Sequence, residues 1–342
     1  MSTAPAAVPG RTSRRIGPFE VSAIGLGCMN LSHAYGVPPT PEAAERLLLT
    51  AVEEGVTHFD TAALYGFGAN EELVGRVLAG HRDRIVLASK CGMTGVDGRR
   101  VIDGRPETIR RTADEALARL RTDVIDLYYL HRIDRAVPVE ESVGAMAELV
   151  QAGKVHALGL SEASSQTLRR AHAVHPIAAL QNEYSLWSRN PEQGTLAAAR
   201  ELGVALVAFS PLARGFLTSA PPDLGGLPTG DIRRGMPRFD DRHYPANLAL
   251  RRELAQIAED AGLTLAQLAL AWIVSRGPHV VAIPGTRSVT HLRENLSTVK
   301  AEVPGEVLDA AGRVLNAATV HGARYNEATL AEIDTERCGR AG

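Results

Sequence analysis

Tyr65, Asp60, Lys90 and His131 are residues whose types could together move a proton. A free phenol titrates near ~10, about three units above neutrality, so it needs about 4 kcal/mol of help to exchange protons easily at pH 7. A neighbouring ammonium favours the phenolate, and a carboxylate keeps that ammonium charged and in place. A histidine at the same spot can orient a carbonyl oxygen or share the proton. Taken singly, each has an ordinary structural use: an Asp caps a turn, a Lys reaches solvent, a His is hydrogen-bonded in a core. The conjunction is harder to assign to structure, because the carboxylate, the ammonium and the imidazole each stand where a short apolar run ends.

Those runs set the fold. Apolar stretches with loop signals on either side predict strands over residues 22–27, 57–61, 85–90, 125–131, 155–160, 178–181, 205–210 and 280–284. Longer amphipathic stretches lie between them. The segment 41–54 has Thr40 as cap and Pro41 at its first helical position. The segment 106–121 gathers Ile109, Ala113, Ala116, Leu117 and Leu120 on one face, and 140–152 stops at Gly153, a glycine cap. Eight strand–helix alternations with apolar strands predict an α/β fold, a (β/α)8 TIM barrel, which removes both sheet edges and gathers its chemistry where strands end. An open dinucleotide-binding sheet would need a Gly-rich turn opening the first helix. The nearest candidate, Gly25-Leu26-Gly27-Cys28-Met29-Asn30, lacks the third glycine, and the next helix starts only at Pro41.

The expected organisation is a disordered tail over 1–14, a single barrel domain over 15–318 and a C-terminal tail over 319–342. The decorations are a short segment at 13–20, a long loop at 212–244 and the chain after Leu315. On this frame Asp60, Lys90 and His131 end the second, third and fourth strands. Ser161-Glu162 ends the fifth and Gln181 the sixth, so all five can face one mouth, with Tyr65 in the loop after Asp60.

With these segments in view, the chain resembles the aldo-keto reductase superfamily from about Arg15 to about Leu315. The matching segments are Gly25-Leu26-Gly27-Cys28-Met29, Phe59-Asp60-Thr61-Ala62 with Tyr65-Gly66, Ser89-Lys90 and Leu127-Tyr128-Tyr129-Leu130-His131. They continue with Leu158-Gly159-Leu160-Ser161, Gln181-Asn182-Glu183-Tyr184, Ser210-Pro211-Leu212 and Ile283-Pro284-Gly285-Thr286 with Glu294-Asn295. The resemblance implies an (α/β)8 barrel, hydride transfer from NADPH to an aldehyde or ketone, and a catalytic tetrad of Asp60, Tyr65, Lys90 and His131.

It also implies a seat for NADP(H). Ser161 and Gln181 are expected to hold the nicotinamide carboxamide, with Met29 nearby and Phe209 stacked on the ring. Glu162 stands where the family has Asn, and a carboxylate cannot donate to the carboxamide oxygen. Ser210, Leu212, Arg214 and Gly215 match the loop over the pyrophosphate, where backbone amides meet phosphate oxygens. Gly285, Thr286 and Arg287 precede a helix with His291, Glu294 and Asn295, a helix start that suits the adenosine 2′-phosphate. Because His291 replaces the family's arginine, Arg287 carries more of that recognition. Substrate contacts are expected from Asn30, Tyr184 and Trp187, with Tyr325 of the tail a further contact. The segment Ser32-His33-Ala34-Tyr35-Gly36 resembles the subgroup of microbial reductases that includes pyridoxal reductases, which leans toward aromatic or small aliphatic aldehydes.

Composition sets bounds on other readings. A net charge of -2 gives no general attraction to nucleic acid or anionic membranes. The three cysteines form no CxxC pair, so neither a disulfide framework nor a zinc-site pattern is expected. No signal-like N-terminus or membrane-length apolar run stands out, so the expectation is a cytoplasmic enzyme acting on a small carbonyl compound. Cys28 and Cys91 are placed near the mouth by strand position, either as sites of thiol sensitivity or as small buried residues. Among rival functions, a non-catalytic NADPH-binding regulatory subunit would share the fold. A metal-dependent barrel hydrolase would need paired histidines, and none of the eleven stands two residues from another. A serine hydrolase would need a Gly-x-Ser-x-Gly elbow, which the sequence lacks.

Overall fold

In the computed structural model of the chain, residues 13–32, 34–96 and 99–337 are described. Eight parallel strands form one sheet: Leu26–Gly27, His58–Asp60, Val86–Cys91, Ile125–Leu130, Val155–Ser161, Ile177–Glu183, Ala205–Phe209 and Val280–Ile283. Each pairs with the next in chain order. A parallel bridge between Ile24 and Ala282 joins the last strand to the first, with Gly25 N donating to Ala282 O at 2.8 Å. The sheet therefore closes into the (β/α)8 barrel that the strand–helix alternation predicts. Helices Pro41–Glu53, Ala69–Leu78, Pro106–Leu120, Val139–Gln151, Ser165–Val174, Thr195–Leu202, Leu265–Val274 and Val289–Ser297 follow the eight strands in order.

Strand parity divides the core. Val86, Ala88, Leu127, Tyr129, Ala157, Ala179, Val207, Val281 and Ile283 point into the barrel and form one buried cluster. Their sequence neighbours Leu87, Tyr128, Leu130, Leu158, Leu180, Leu206 and Ala282 point outward and pack under the helices. Followed upward, the inward rows arrive at Asp60, Lys90, His131, Ser161, Gln181 and Phe209. The same alternation that fills the barrel thus aims these side chains at its mouth.

The opposite end is plugged by a hairpin, Ser13–Ile16 with Phe19–Ser22, which drives Ile16 and Val21 into the barrel floor. This shortens the tail expected over 1–14, because Ser13 and Arg14 already belong to the hairpin. Arg14 is buried and donates from Nε to Val280 O and from Nη2 to Val274 O, each at 3.2 Å. Residues 1–12, His33, 97–98, Cys338 and the last four residues lie outside the described residues. Ser22 also belongs to the hairpin rather than to the first barrel strand, which is shorter than the apolar run suggests. A second hairpin, Met93–Val96 with Arg99–Ile102, sits in the loop after the third strand and was not predicted. The long loop after Leu212 contains only short helical turns before the helix Tyr244–Asp260. Among the described residues no single helix is long and apolar enough to cross a membrane.

The helical layer is packed without slack at Gly75, where a Cβ would stand 2.5 Å from backbone atoms of Arg119 and Leu120 on the neighbouring helix. Gly75→Ala gains about 1 kcal/mol of helix propensity, but overpacking against backbone costs typically ~1–3 kcal/mol. The expected result is net destabilisation of up to about 2 kcal/mol in urea unfolding. A variant as stable as the parent would show that the two helices can separate freely.

Candidate active site

The loop that carries Tyr65 is fixed from several sides. Cys28 N donates to Asp60 O and Thr61 N to Ala88 O, so the ladder continues past the second strand. Tyr65 N then turns back to Ala62 O at 3.0 Å. Asn70, fully buried in the following helix, accepts from Thr61 Oγ1 at 2.6 Å and donates to Cys28 O and Ser32 Oγ, each at 2.9 Å. Sequence reasoning did not single out Asn70. Its signal is a lone amide one turn beyond Tyr65, in a helix start otherwise rich in acids.

Lys90 is fully buried and uses its ammonium on three acceptors: Asp60 Oδ1, Thr61 O at 2.8 Å and the Tyr65 hydroxyl oxygen at 3.1 Å. The other Asp60 oxygen accepts from Gln181 Nε2 at 2.7 Å. His131 meets the Tyr65 ring edge-on, with centroids 5.9 Å apart, and both line a cleft of about 520 Å³. Burial works against the Lys90 ammonium, yet Asp60 and Tyr65 outweigh it and the net direction is upward. For Tyr65, burial is the largest influence and raises the phenol above its ordinary value of 10.0, while Lys90 and Arg132 pull it back. This reverses the sequence expectation of a phenol lowered toward neutrality, because the sequence shows the ammonium but not the loss of solvent.

The cleft brings together most of the residues expected to bind a cofactor. Met29, Ser161, Gln181, Phe209, Ser210, Leu212, Arg214, Gly215, Gly285, Thr286, Arg287 and His291 line it, as does Asn30. Ser161 Oγ accepts from Arg132 Nη1 at 3.3 Å. Ser288 caps the helix Val289–Ser297 by accepting from His291 N at 3.3 Å, so a helix start with exposed Arg287 beside it faces the cleft. An aromatic face, a hydroxyl at a strand end and a helix N-terminus with an arginine along one cleft fit a dinucleotide phosphate.

Several expected contacts fall elsewhere. Glu162 is fully buried with φ +52, and its carboxylate turns away to Arg324 of the tail at 2.5 Å. Its backbone is also engaged, N donating to Gln181 O and O accepting from Asp334 N. Tyr184 packs on Trp272 and donates to Glu192 Oε1 at 2.8 Å, while Trp187 is enclosed by Phe216 and Phe239. Both are buried in the core, and neither is among the residues that line the cleft. Glu294 and Asn295 lie on the helix after Arg287 but are not among the cleft-lining residues, and Asn295 is buried. Cys28 and Cys91 are buried, and burial pushes the Cys91 thiol up to about 12, so neither thiol is exposed at the mouth. Arg132 and the pair Arg324 and Tyr325 are the polar residues that sequence reasoning undervalued.

Tyr325 joins a buried network across the mouth. Glu183 accepts from Ser188 Oγ and Arg214 Nη2, both at 2.7 Å, and from Tyr325 OH at 2.9 Å. Burial acts to raise this carboxyl, but Arg214, Arg324 and Ser188 hold it at about 2 against an ordinary 4.5. The folded-state value is depressed, so the stability that Glu183 contributes is full above pH 4.5 and is lost as pH falls from there toward 2. Glu183→Gln should be less stable than the parent at pH 7, and the gap should narrow by pH 3. Urea midpoints at the two pH values check this, and an unchanged gap would contradict it.

Residues 23–332 match the family model for the aldo/keto reductases. An aldo-keto reductase of Schizosaccharomyces pombe, named for NADP(+), is 40% identical over 320 residues, 92% of this chain and 94% of that protein. A probable aldo-keto reductase of Glycine max is 40% identical over 310 residues, 90% of this chain and 89% of its own. Among solved structures, a glycerol dehydrogenase from Gluconobacter oxydans superposes with a TM-score of 0.81 at 30% identity, covering 89% of this chain and 95% of that one. An aldo/keto reductase from Klebsiella pneumoniae, in complex with NADP and acetate, gives 0.71 at 27% identity, covering 92% and 99%.

Proposed function

The chain belongs to the aldo/keto reductase family, and we propose that it reduces aldehydes or ketones to alcohols with NADPH, Tyr65 acting as general acid. The observation that carries this reading is the Tyr65 hydroxyl at 3.1 Å from a Lys90 ammonium that is itself bonded to Asp60, in a cleft shared with His131.

The cofactor, when bound, supplies a hydride to the carbonyl carbon, and the protein's part is to manage the oxygen. Tyr65 donates its proton to that oxygen as negative charge develops there. His131, beside the Tyr65 ring, orients the carbonyl. Lys90 does not reach substrate, since its hydrogen bonds run to Asp60, Thr61 and Tyr65; it acts on the phenol. Phe209 would stack on the nicotinamide and Ser161 would hold its carboxamide. Gln181 combines that duty with fixing Asp60. Ser210, Leu212, Arg214 and Gly215 would follow the pyrophosphate. Arg287, Thr286 and the helix start at Ser288 would take the adenosine 2′-phosphate, which favours NADPH over NADH.

Tyr65→Phe should lower kcat by about 10²–10⁴-fold while NADPH still binds. With the parent enzyme the reduction rate should stay level through neutral pH and fall only above pH 10, because the buried phenol keeps its proton beyond its ordinary value of 10.0. NADPH oxidation with 4-nitrobenzaldehyde or methylglyoxal reads both. Tight NADPH binding without turnover across an aldehyde panel would favour a regulatory subunit of the same fold instead. Arg287→Ala should raise the KM for NADPH by about tenfold or more with little change for NADH; equal effects on the two cofactors would sink the phosphate assignment.

A further inference from the structure

Five arginines line the cleft: Arg100, Arg132, Arg214, Arg233 and Arg287. Three are matched by carboxylates. Arg214 pairs with Glu183 and Arg233 with Asp231, each at 2.7 Å, and Arg100 pairs with Glu332. Arg132 and Arg287 have no carboxylate partner among the described residues, and their hydrogen bonds go to neutral oxygens. Arg287 stands at the helix start proposed above for a phosphate. Arg132 stands at the other end, directly after His131.

The geometry at Arg132 is one-sided. Nη1 donates to His131 O at 2.7 Å and to Ser161 Oγ at 3.3 Å, which anchors the guanidinium beside the catalytic histidine. Nε and Nη2 have no protein acceptor among the described residues, although the side chain is only half-exposed and lines the cleft. That edge presents parallel N–H groups, the arrangement that takes a carboxylate on two bonds. Nearby, the Asp60 and Lys90 charges cancel, so Arg132 leaves an uncompensated positive charge close to where a carbonyl would be reduced. Its charge is felt at Tyr65, which places the two within electrostatic reach. Leu64 and Met93 pack with Tyr65 and line the same cleft, giving an apolar wall beside the polar groups.

We propose that the Nε–Nη2 edge of Arg132 binds a carboxylate carried by the substrate, so that the enzyme prefers oxo acids over neutral aldehydes and ketones. This rests on the reductase reading and adds a substrate class to it. The carbonyl oxygen is left to Tyr65 and His131, and the second, anionic end of the molecule fixes its orientation on the guanidinium.

The test compares 2-, 3- and 4-carboxybenzaldehyde with their methyl esters at saturating NADPH, in the parent, Arg132→Met and Arg132→Lys. The readout is the ratio of kcat/KM for acid and ester within each protein, which is independent of any overall loss of rate or folded fraction. In the parent, at least one acid should exceed its ester by about tenfold or more, mainly through KM. The ratio should fall to near one in Arg132→Met, with Arg132→Lys between the two. A parent ratio near one for every isomer, or a preference that survives in Arg132→Met, overturns the inference and leaves the reductase reading standing. If Arg132 instead served the cofactor, acid and ester would fall together at a constant ratio, which also overturns it. Absence of turnover for all six aldehydes despite NADPH binding overturns the reductase reading, and this inference with it.

Discussion

The buried ion pair between Lys90 and Asp60 is the constraint on which the site depends. An ammonium with no exposure to water is tolerated only if every proton finds an acceptor and a counter-charge lies close. Lys90 meets that condition with the carboxylate of the second strand, the carbonyl of Thr61 and the Tyr65 hydroxyl. The second Asp60 oxygen is tied to Gln181 on the sixth strand, so the pair reaches across the barrel mouth rather than along one edge. Removing one partner of such a pair leaves an uncompensated buried charge, a loss of about 3–5 kcal/mol. The position of Tyr65 is thus specified by electrostatics that the barrel cannot easily rearrange.

The same requirement organises the rim. Glu162 and Glu183 are buried carboxylates at the ends of adjacent strands, and their partners come from far along the chain, Arg324 and Tyr325 from the tail and Arg214 from the loop after the seventh strand. These ion pairs bind the tail and that loop to the barrel end that carries the cleft. Backbone strain collects in the same region. Ala34, Phe67, Glu162, Ser210, Ala213 and Arg214 all have positive φ without being glycine, and all follow barrel strands on the cleft side. Such conformations persist only where surrounding contacts over-determine them, and here the ion pairs and hydrogen bonds of the rim do so.

Much of this was legible in the sequence because strand parity is local. The alternation that puts Val86 and Ala88 inside the barrel also puts Lys90 there, and the same holds for Leu127, Tyr129 and His131. The order of strand ends therefore pointed to the barrel and to Asp60, Lys90 and His131 at one mouth. What escaped was set by distance along the chain or by burial. Glu162 looked like a defective cofactor contact, since nothing local announces a partner 162 residues later. Tyr184 and Trp187 looked like substrate contacts because aromatic residues follow a strand end, yet Trp187 fills the space between Phe216 and Phe239. Arg132 drew no attention in the sequence, and only the pairing of the other cleft arginines makes its open edge distinct.

Burial also decides what Lys90 does for Tyr65. Loss of solvent raises the phenol, and the ammonium only partly reverses this, so the resting acid keeps its proton at neutral pH. A protonated donor is the form that reduction requires, whereas the reverse reaction must first remove that proton. Lys90 therefore need not ionise Tyr65 in advance. In the proposed reduction, its hydrogen bond to the phenol oxygen would strengthen when negative charge appears there, after the proton has moved to the substrate. An interaction worth more at the transition state than in the resting site lowers the barrier. Asp60 serves that end by holding the ammonium in place and charged. On that proposal, the buried pair that raises the cost of misplacing Tyr65 would also be the source of its reactivity.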